Sequence, residues 1–209
     1  MPRAPRLQDA GLLHHVISRG NDRQPIFKST ADFQKYIALI DQYRRQYPVK
    51  IYNYVLMSNH IHLLIEPEQE GSLSQFMEHV SKAYAKYFNK IHNRTGHVFQ
   101  GRFKSFIVQH DRYYFACSRY IDLNPVKAKI VSSANDYTWS GYGLLASGNK
   151  SALSLDTHSV YKDLGANPKE RQIAYRALVS AHLADDLELL ERRVCVLGDE
   201  EFRKKIKGK

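Results

Sequence analysis

The chain has 209 residues, of which 43% are hydrophobic and 25% charged, a globular make-up that excludes disorder throughout and leaves room for one ordinary domain with an appendage. Lysine and arginine outnumber aspartate and glutamate 31 to 21, for a net charge of +10, which points to a polyanionic partner, nucleic acid before an anionic membrane. The excess is uneven: residues 1–149 hold 19 basic and 11 acidic side chains, residues 150–209 hold 12 and 10, so the polyanion is expected on the N-terminal part.

In chain order, residues 12–17 read as a first strand, broken by Arg19-Gly20-Asn21-Asp22. Ser29-Thr30-Ala31-Asp32 has the form of a capping box, and Phe33, Tyr36, Ile37, Ile40, Tyr43 and Tyr47 follow at helical spacing until Pro48. Residues 50–57 and 60–65 form two strands joined by a turn at Ser58-Asn59. A second helix spans residues 72–92, burying Leu73, Phe76, Met77, Val80, Tyr84, Tyr87, Phe88 and Ile91 and carrying Lys82, Lys86 and Lys90 as a row with a four-residue repeat. Residues 98–108 read as a further strand interrupted by Gly101, with Arg102 and Lys104 on one face. A third helix covers residues 111–124, where Asp111 caps the start and Pro125 disfavours continuation. Residues 141–151 read as a loose linker, residues 169–183 and 185–197 as helices, and a last short helix ends in the basic run 203–209.

This order of strand, helix, strand, strand, helix, strand is that of an α+β, ferredoxin-like split βαβ sheet, in which the first and third strands are central. Two features carry chemistry. In His60-Ile61-His62 the alternation of a strand puts Ile61, Leu63 and Ile65 on one face and both imidazoles on the other, where they can converge on a divalent cation; two histidines on a solvated strand face are the competing reading. In the third helix Tyr120 and Asn124 are four residues apart and point the same way. Tyr113, Ala116, Cys117 and Tyr120 form a stripe that can equally be core, but a primary amide on that stripe is costly to bury unless its oxygen meets a donor or a metal.

With these motifs the chain resembles the single-tyrosine (Y1) transposases of the IS200/IS605 type, with their histidine–hydrophobic–histidine motif and tyrosine helix, and within them the branch associated with repetitive extragenic palindromes (REPs). His15-Val16-Ile17-Ser18-Arg19-Gly20-Asn21, residues 57–64, Gln100-Gly101-Arg102-Phe103-Lys104-Ser105, residues 120–126 and Trp139-Ser140-Gly141-Tyr142 carry the resemblance in order, over about residues 10–145. It implies a catalytic domain at 1–145 and a helical C-terminal extension at 146–209. It also implies Tyr120 as nucleophile, with His60, His62 and Asn124 as ligands of Mg2+ or Mn2+, and single-stranded DNA with a hairpin or palindrome as substrate. The tyrosine helix would close over the free sheet face. Cleavage and joining would pass through a 5′-phosphotyrosine. Related insertion-sequence enzymes carry glutamine where Asn124 stands.

An ordinary tyrosine hydroxyl titrates near 10, so only about one in a thousand is ionised at pH 7, and attack needs a polarised phosphate. Arg19, Lys82, Lys86, Lys90, Arg102 and Lys104 are candidate phosphate contacts; a solvated role is the competing reading for each. Tyr113 and Tyr114 rank below Tyr120 because Cys117 and Ser118 follow them at four residues. Asp122 points away from Tyr120 and reads as exposed. His14, His15, His79, His92, His97 and His110 read as structural or surface residues, with a supporting role open to His15 if its strand neighbours that of His60. Cys117 and Cys195 offer neither a disulfide framework nor a thiolate zinc motif. The basic N-terminus lacks an apolar core, and no run of about 18 apolar residues occurs, so a cytoplasmic, nucleoid-associated protein is expected, not a membrane protein. A homodimer, with Tyr120 acting in cis or supplied by the partner chain, is compatible with the sequence. A non-catalytic single-stranded nucleic-acid-binding module and a metal-dependent hydrolase using water are the alternative functions.

Overall fold

The computed structural model describes residues 9–110, 112–181 and 196–208. A five-stranded sheet has the order β2-β3-β1-β4-β5, built from β1 (Leu13–Arg19), β2 (Val49–Met57), β3 (His60–Pro67), β4 (Lys104–Val108) and the two-residue β5 (Val196–Leu197). Pairs within β1 to β4 are antiparallel, and β5 adds in parallel to β4. β1 and β3 are central, as a split βαβ requires, and α1 (Thr30–Tyr43) and α2 (Ser72–Ile91) pack on one face.

Alternation along the strands decides which residues meet those helices. Val16, Ile61, Leu63 and Ile65 join Tyr36, Ile40, Phe76, Val80 and Tyr84 in the larger core. α1 begins where the Asp32 carboxylate accepts the backbone N–H groups of Lys28 and Ser29. Of the apolar stripe expected along α2, Leu73, Phe76, Met77, Val80, Tyr84 and Phe88 are buried, Tyr87 is half-buried and Ile91 is 56% exposed.

The opposite face is covered by α3 (Arg112–Lys127), with α4 (Tyr142–Ser147), α5 (Ser159–Lys162) and α6 (Pro168–Ser180) beyond it. Leu13, Tyr52, Val55 and Leu64 of the sheet, Tyr114, Cys117 and Ile121 of α3, and Leu145, Tyr161, Tyr175 and Val179 of the later helices make the second core. This is why β2 is buried on both faces and reads as a nearly continuous apolar run. α7 (Glu200–Lys207) packs Phe202 and Ile206 against Leu12 and Ile107 at the β4 edge.

Several expectations give way here. Residues 141–151 are not a linker throughout: α4 occupies 142–147, with Tyr142, Leu145 and Ala146 buried. The Trp139-Ser140-Gly141-Tyr142 motif is its entrance. Trp139 stacks on Phe33 at 4.7 Å, the Gly141 N–H donates to Tyr54 O, and a Cβ at Gly141 would overlap the Asn53 amide. Of the strand expected at 98–108 only Lys104–Val108 forms; Gly101, at φ +99°, turns the chain and sends Phe103 into the core. Val196 and Leu197, expected to close a helix, are β5; the remainder of that helix and Cys195 lie outside the described residues. Pro125 does not end α3, which runs two residues further, so that Asn124 stays in its last turn. Among the described residues no helix is long and apolar enough to cross a membrane.

Candidate active site

His60 and His62 leave β3 on the face turned to α3, and the register sets Arg19 opposite His60 and Ile17 opposite His62. The two imidazole rings are 5.0 Å apart and nearly perpendicular. Tyr120 of the same chain brings its ring to 5.6 Å from His62 and 5.7 Å from His15, edge to face in both cases. The tyrosine helix thus closes over the histidine face in cis.

The hydrogen bonds around the pair select which nitrogen each ring presents. Asn59 donates from Nδ2 to Arg23 O, which fixes its Oδ1 as the acceptor for His60 Nδ1–H at 2.7 Å. The lone pair of His60 is therefore on Nε2. His62 Nδ1 lies 2.8 Å from His15 Nε2, both rings buried. With the proton on His62 Nδ1, His15 is the acceptor and His62 also presents a lone pair on Nε2. Asn124 donates from Nδ2 to the Tyr120 carbonyl at 2.7 Å, a bond that leaves the lone pairs of its Oδ1 unused.

Burial keeps the histidines neutral. It holds His60 down to about 4, helped by the Arg19 charge and opposed by a hydrogen bond with Asn124. Burial likewise takes His15 to about 3, and burial first, then repulsion with His15, His60 and Arg19 that a charged ring would meet, takes His62 well below the usual range. Two neutral imidazole nitrogens and an amide oxygen are a donor set for a divalent cation, and by ligand chemistry alone they suit zinc or nickel as well as Mg2+ or Mn2+. Lys127 places its ammonium 5.3 Å from the centroid of the Tyr120 ring. Tyr113 and Tyr114 are buried, and burial raises the Tyr114 hydroxyl well above its usual range, which disqualifies it as a nucleophile.

Asp122 is buried, not exposed. It does point away from Tyr120, but that side of α3 meets α6 and β2, not solvent. Tyr175 Oη donates to Asp122 Oδ2 at 2.6 Å and Asn53 Nδ2 to Oδ1 at 3.0 Å; Asn53 sits where a bulge breaks the β2–β3 register. Burial pushes the Asp122 carboxyl up to about 7 against these two donors. The network ties the back of the tyrosine helix to the sheet and to α6. Only the polar character of Asp122 and Asn53 within apolar stretches hinted at it in the sequence.

Of the candidate phosphate contacts, Arg19 is exposed beside His60, and Lys82 and Arg102 line one cleft between α2 and residues 96–103. Lys86 and Lys90 are exposed one and two turns further along α2, and Lys104 is exposed at the start of β4. A second cluster, Glu66, His110 and His158, brings three ligand atoms within 4.8 Å at the far end of β3. Its hydrogen bonds form a relay instead: Val160 N–H donates to His158 Nδ1, His158 Nε2–H to His110 Nδ1, and His110 Nε2–H to Gly11 O. The lone pair of each ring is already used.

The family described as IS200-like transposase matches residues 10–124, more than half of the chain. Comparison with curated proteins gave no match. Among solved structures, a REP-associated tyrosine transposase bound to a REP hairpin shares 22% identity over 77% of this chain and 96% of its own, with a TM-score of 0.58. A candidate transposase from Deinococcus radiodurans shares 17% identity over 52% and 88%, with a TM-score of 0.39. The five-stranded α+β sheet is thus the fold of the first of these, and the chain belongs to the IS200-like family of Y1 transposases.

Proposed function

We propose that this transposase cleaves and rejoins single-stranded DNA beside a hairpin, with Tyr120 as the nucleophile and a divalent cation, Mg2+ or Mn2+, held by His60, His62 and Asn124. The observation that carries the reading is the approach of the Tyr120 ring to His62, which stands beside His60 on a strand where Asn59 and His15 engage the Nδ1 atoms of the two imidazoles. When bound, the cation supplies positive charge against the negative charge that builds on the phosphate oxygens. Tyr120 Oη forms a bond to the scissile phosphorus as the bond to the 3′ oxygen breaks. The phenolic proton balances the released 3′-hydroxyl, and the 5′-phosphotyrosine keeps the energy needed for rejoining.

The other parts of the chain position these groups. Asn59 and His15 orient the two imidazoles, and Asn124 is oriented by the Tyr120 carbonyl. Residues 1–145 act as the catalytic unit, while the extension at 146–209 braces the tyrosine helix through Tyr175. Arg19, Lys82, Lys86, Lys90, Arg102 and Lys104 carry the DNA backbone. The hairpin substrate is supported by the related structure, which holds a REP hairpin. Single-turnover cleavage of hairpin oligonucleotides with single-stranded flanks tests the assignment. The parent enzyme should need Mg2+ or Mn2+, and Asn124→Ala should lose at least tenfold in rate while melting like the parent. Cleavage unaffected by chelation or by that substitution would overturn it.

A further inference from the structure

We propose that the cleft between α2 and residues 96–103 receives one unstacked base of the single strand next to the hairpin, with flanking phosphates on Lys82 and Arg102. This rests on the single-stranded DNA reading above and adds to it a base-binding subsite apart from the tyrosine and histidines. The cleft has a volume of about 650 Å³, within the usual size of a small-ligand site. Met77, Ala85, Phe99 and Phe103 make it apolar, and Lys82 and Arg102 stand at its rim. An aromatic floor with cations at the edge is the chemistry by which single strands are held without reading a duplex.

Two observations favour a nucleic acid over an apolar peptide. The first is connection to the active site. Residues 98–100 run along the end of β1: Asn21 N–H donates to Val98 O, Phe99 bridges to Gly20, and Gln100 N–H donates to Arg19 O. Arg19 faces His60 across the β1–β3 pair. A strand leaving the histidines past Arg19 therefore meets the cleft wall next. The second is charge. The cleft lies in the part of the chain that holds most of the basic excess. Its one carboxylate, Glu78, is paired with Lys82 at 2.5 Å, and both groups are more than half exposed, so the pair is weak and Lys82 can turn to a phosphate. The cleft is also left open by its backbone. Gly96 and Gly101, at φ +83° and +99°, have no atom within 4 Å of where a Cβ would stand.

The test uses the full chain and fluorescence anisotropy with hairpin oligonucleotides whose flanking nucleotides are replaced, one at a time, by an abasic residue. For the parent protein one position should lose about 5- to 150-fold in affinity, the range for one stacked base. Ala85→Trp and Ser81→Tyr, which fill the cleft from the floor and from the rim, should bind intact DNA correspondingly less well and show no further loss at that position. Melting curves identify which of the two filled variants is folded. Arg102→Ala should weaken every oligonucleotide alike and lower the salt dependence by about one charge. A parent protein that binds the hairpins, with abasic losses that are the same in the filled variants, would overturn the cleft assignment alone. Absence of any binding to the hairpins by the parent protein would overturn the DNA reading with it.

Discussion

Replacing His15 by alanine removes the ring that pairs with His62 Nδ1, the acceptor in the tautomer that presents His62 Nε2 to a cation. The contact is a 2.8 Å hydrogen bond between two buried rings that also stack at 5.0 Å. Loss of a group that orients a metal-binding histidine costs 10- to 100-fold in metal affinity, or about 1.4 to 2.7 kcal/mol. Isothermal titration of Mn2+ into the folded His15→Ala protein should show that loss. His15→Gln should recover most of it, because the Gln Oε1 can reach the position of the imidazole Nε2 and accept from His62. A cavity left by the lost ring lowers stability as well, by about 2 kcal/mol, but that effect alone would not separate glutamine from alanine in metal affinity. A folded His15→Ala protein with the parent's Mn2+ affinity would refute the idea that this bond turns His62 Nε2 toward a cation.

Three further outcomes follow from the same geometry. Tyr175→Phe leaves Asp122 Oδ2 without its 2.6 Å donor in a buried site and should cost about 1 to 3 kcal/mol, read as a lower urea midpoint. Gly141→Ala should destabilise by a similar amount, about 1 to 3 kcal/mol, since the new methyl meets the Asn53 amide and Leu155, and a thermal melt measures it. The fold should also weaken in acid. His14 and His60 are held near 4 and His15 near 3, against about 6.5 when unfolded, so below pH 6.5 the unfolded chain binds more protons and stability falls towards pH 4. Asp122, held up to about 7 from 3.8, works in the opposite sense, its contribution fading as pH rises from about 4 through 7, but it is one group against three. Melts at pH 7.5, 6 and 5 should show a falling midpoint.

The sheet and the paired histidines were legible because they are local patterns. Two-residue alternation puts His60 and His62 on the face opposite Ile61, Leu63 and Ile65, and four-residue spacing puts Tyr120 above Asn124. What the sequence hid depends on partners far along the chain. Asp122 was read as exposed because it lies opposite Tyr120 on the helix, yet the covering element is α6, more than 40 residues later. Gly and Ser around α4 suggested a linker, but Gly141 is small because Asn53 stands against it. His15 gained its place only when register brought β1 beside β3. Pro125 disfavours continuation of the helix, yet α3 runs two residues past it.

Covalent chemistry at Tyr120 is read by denaturing electrophoresis of the protein after incubation with labelled single-stranded hairpin DNA and Mn2+ or Mg2+. A protein-linked labelled band is expected for the parent enzyme and none for Tyr120→Phe. Cleavage that persists in Tyr120→Phe, with no labelled protein from the parent, would contradict it and favour attack by water.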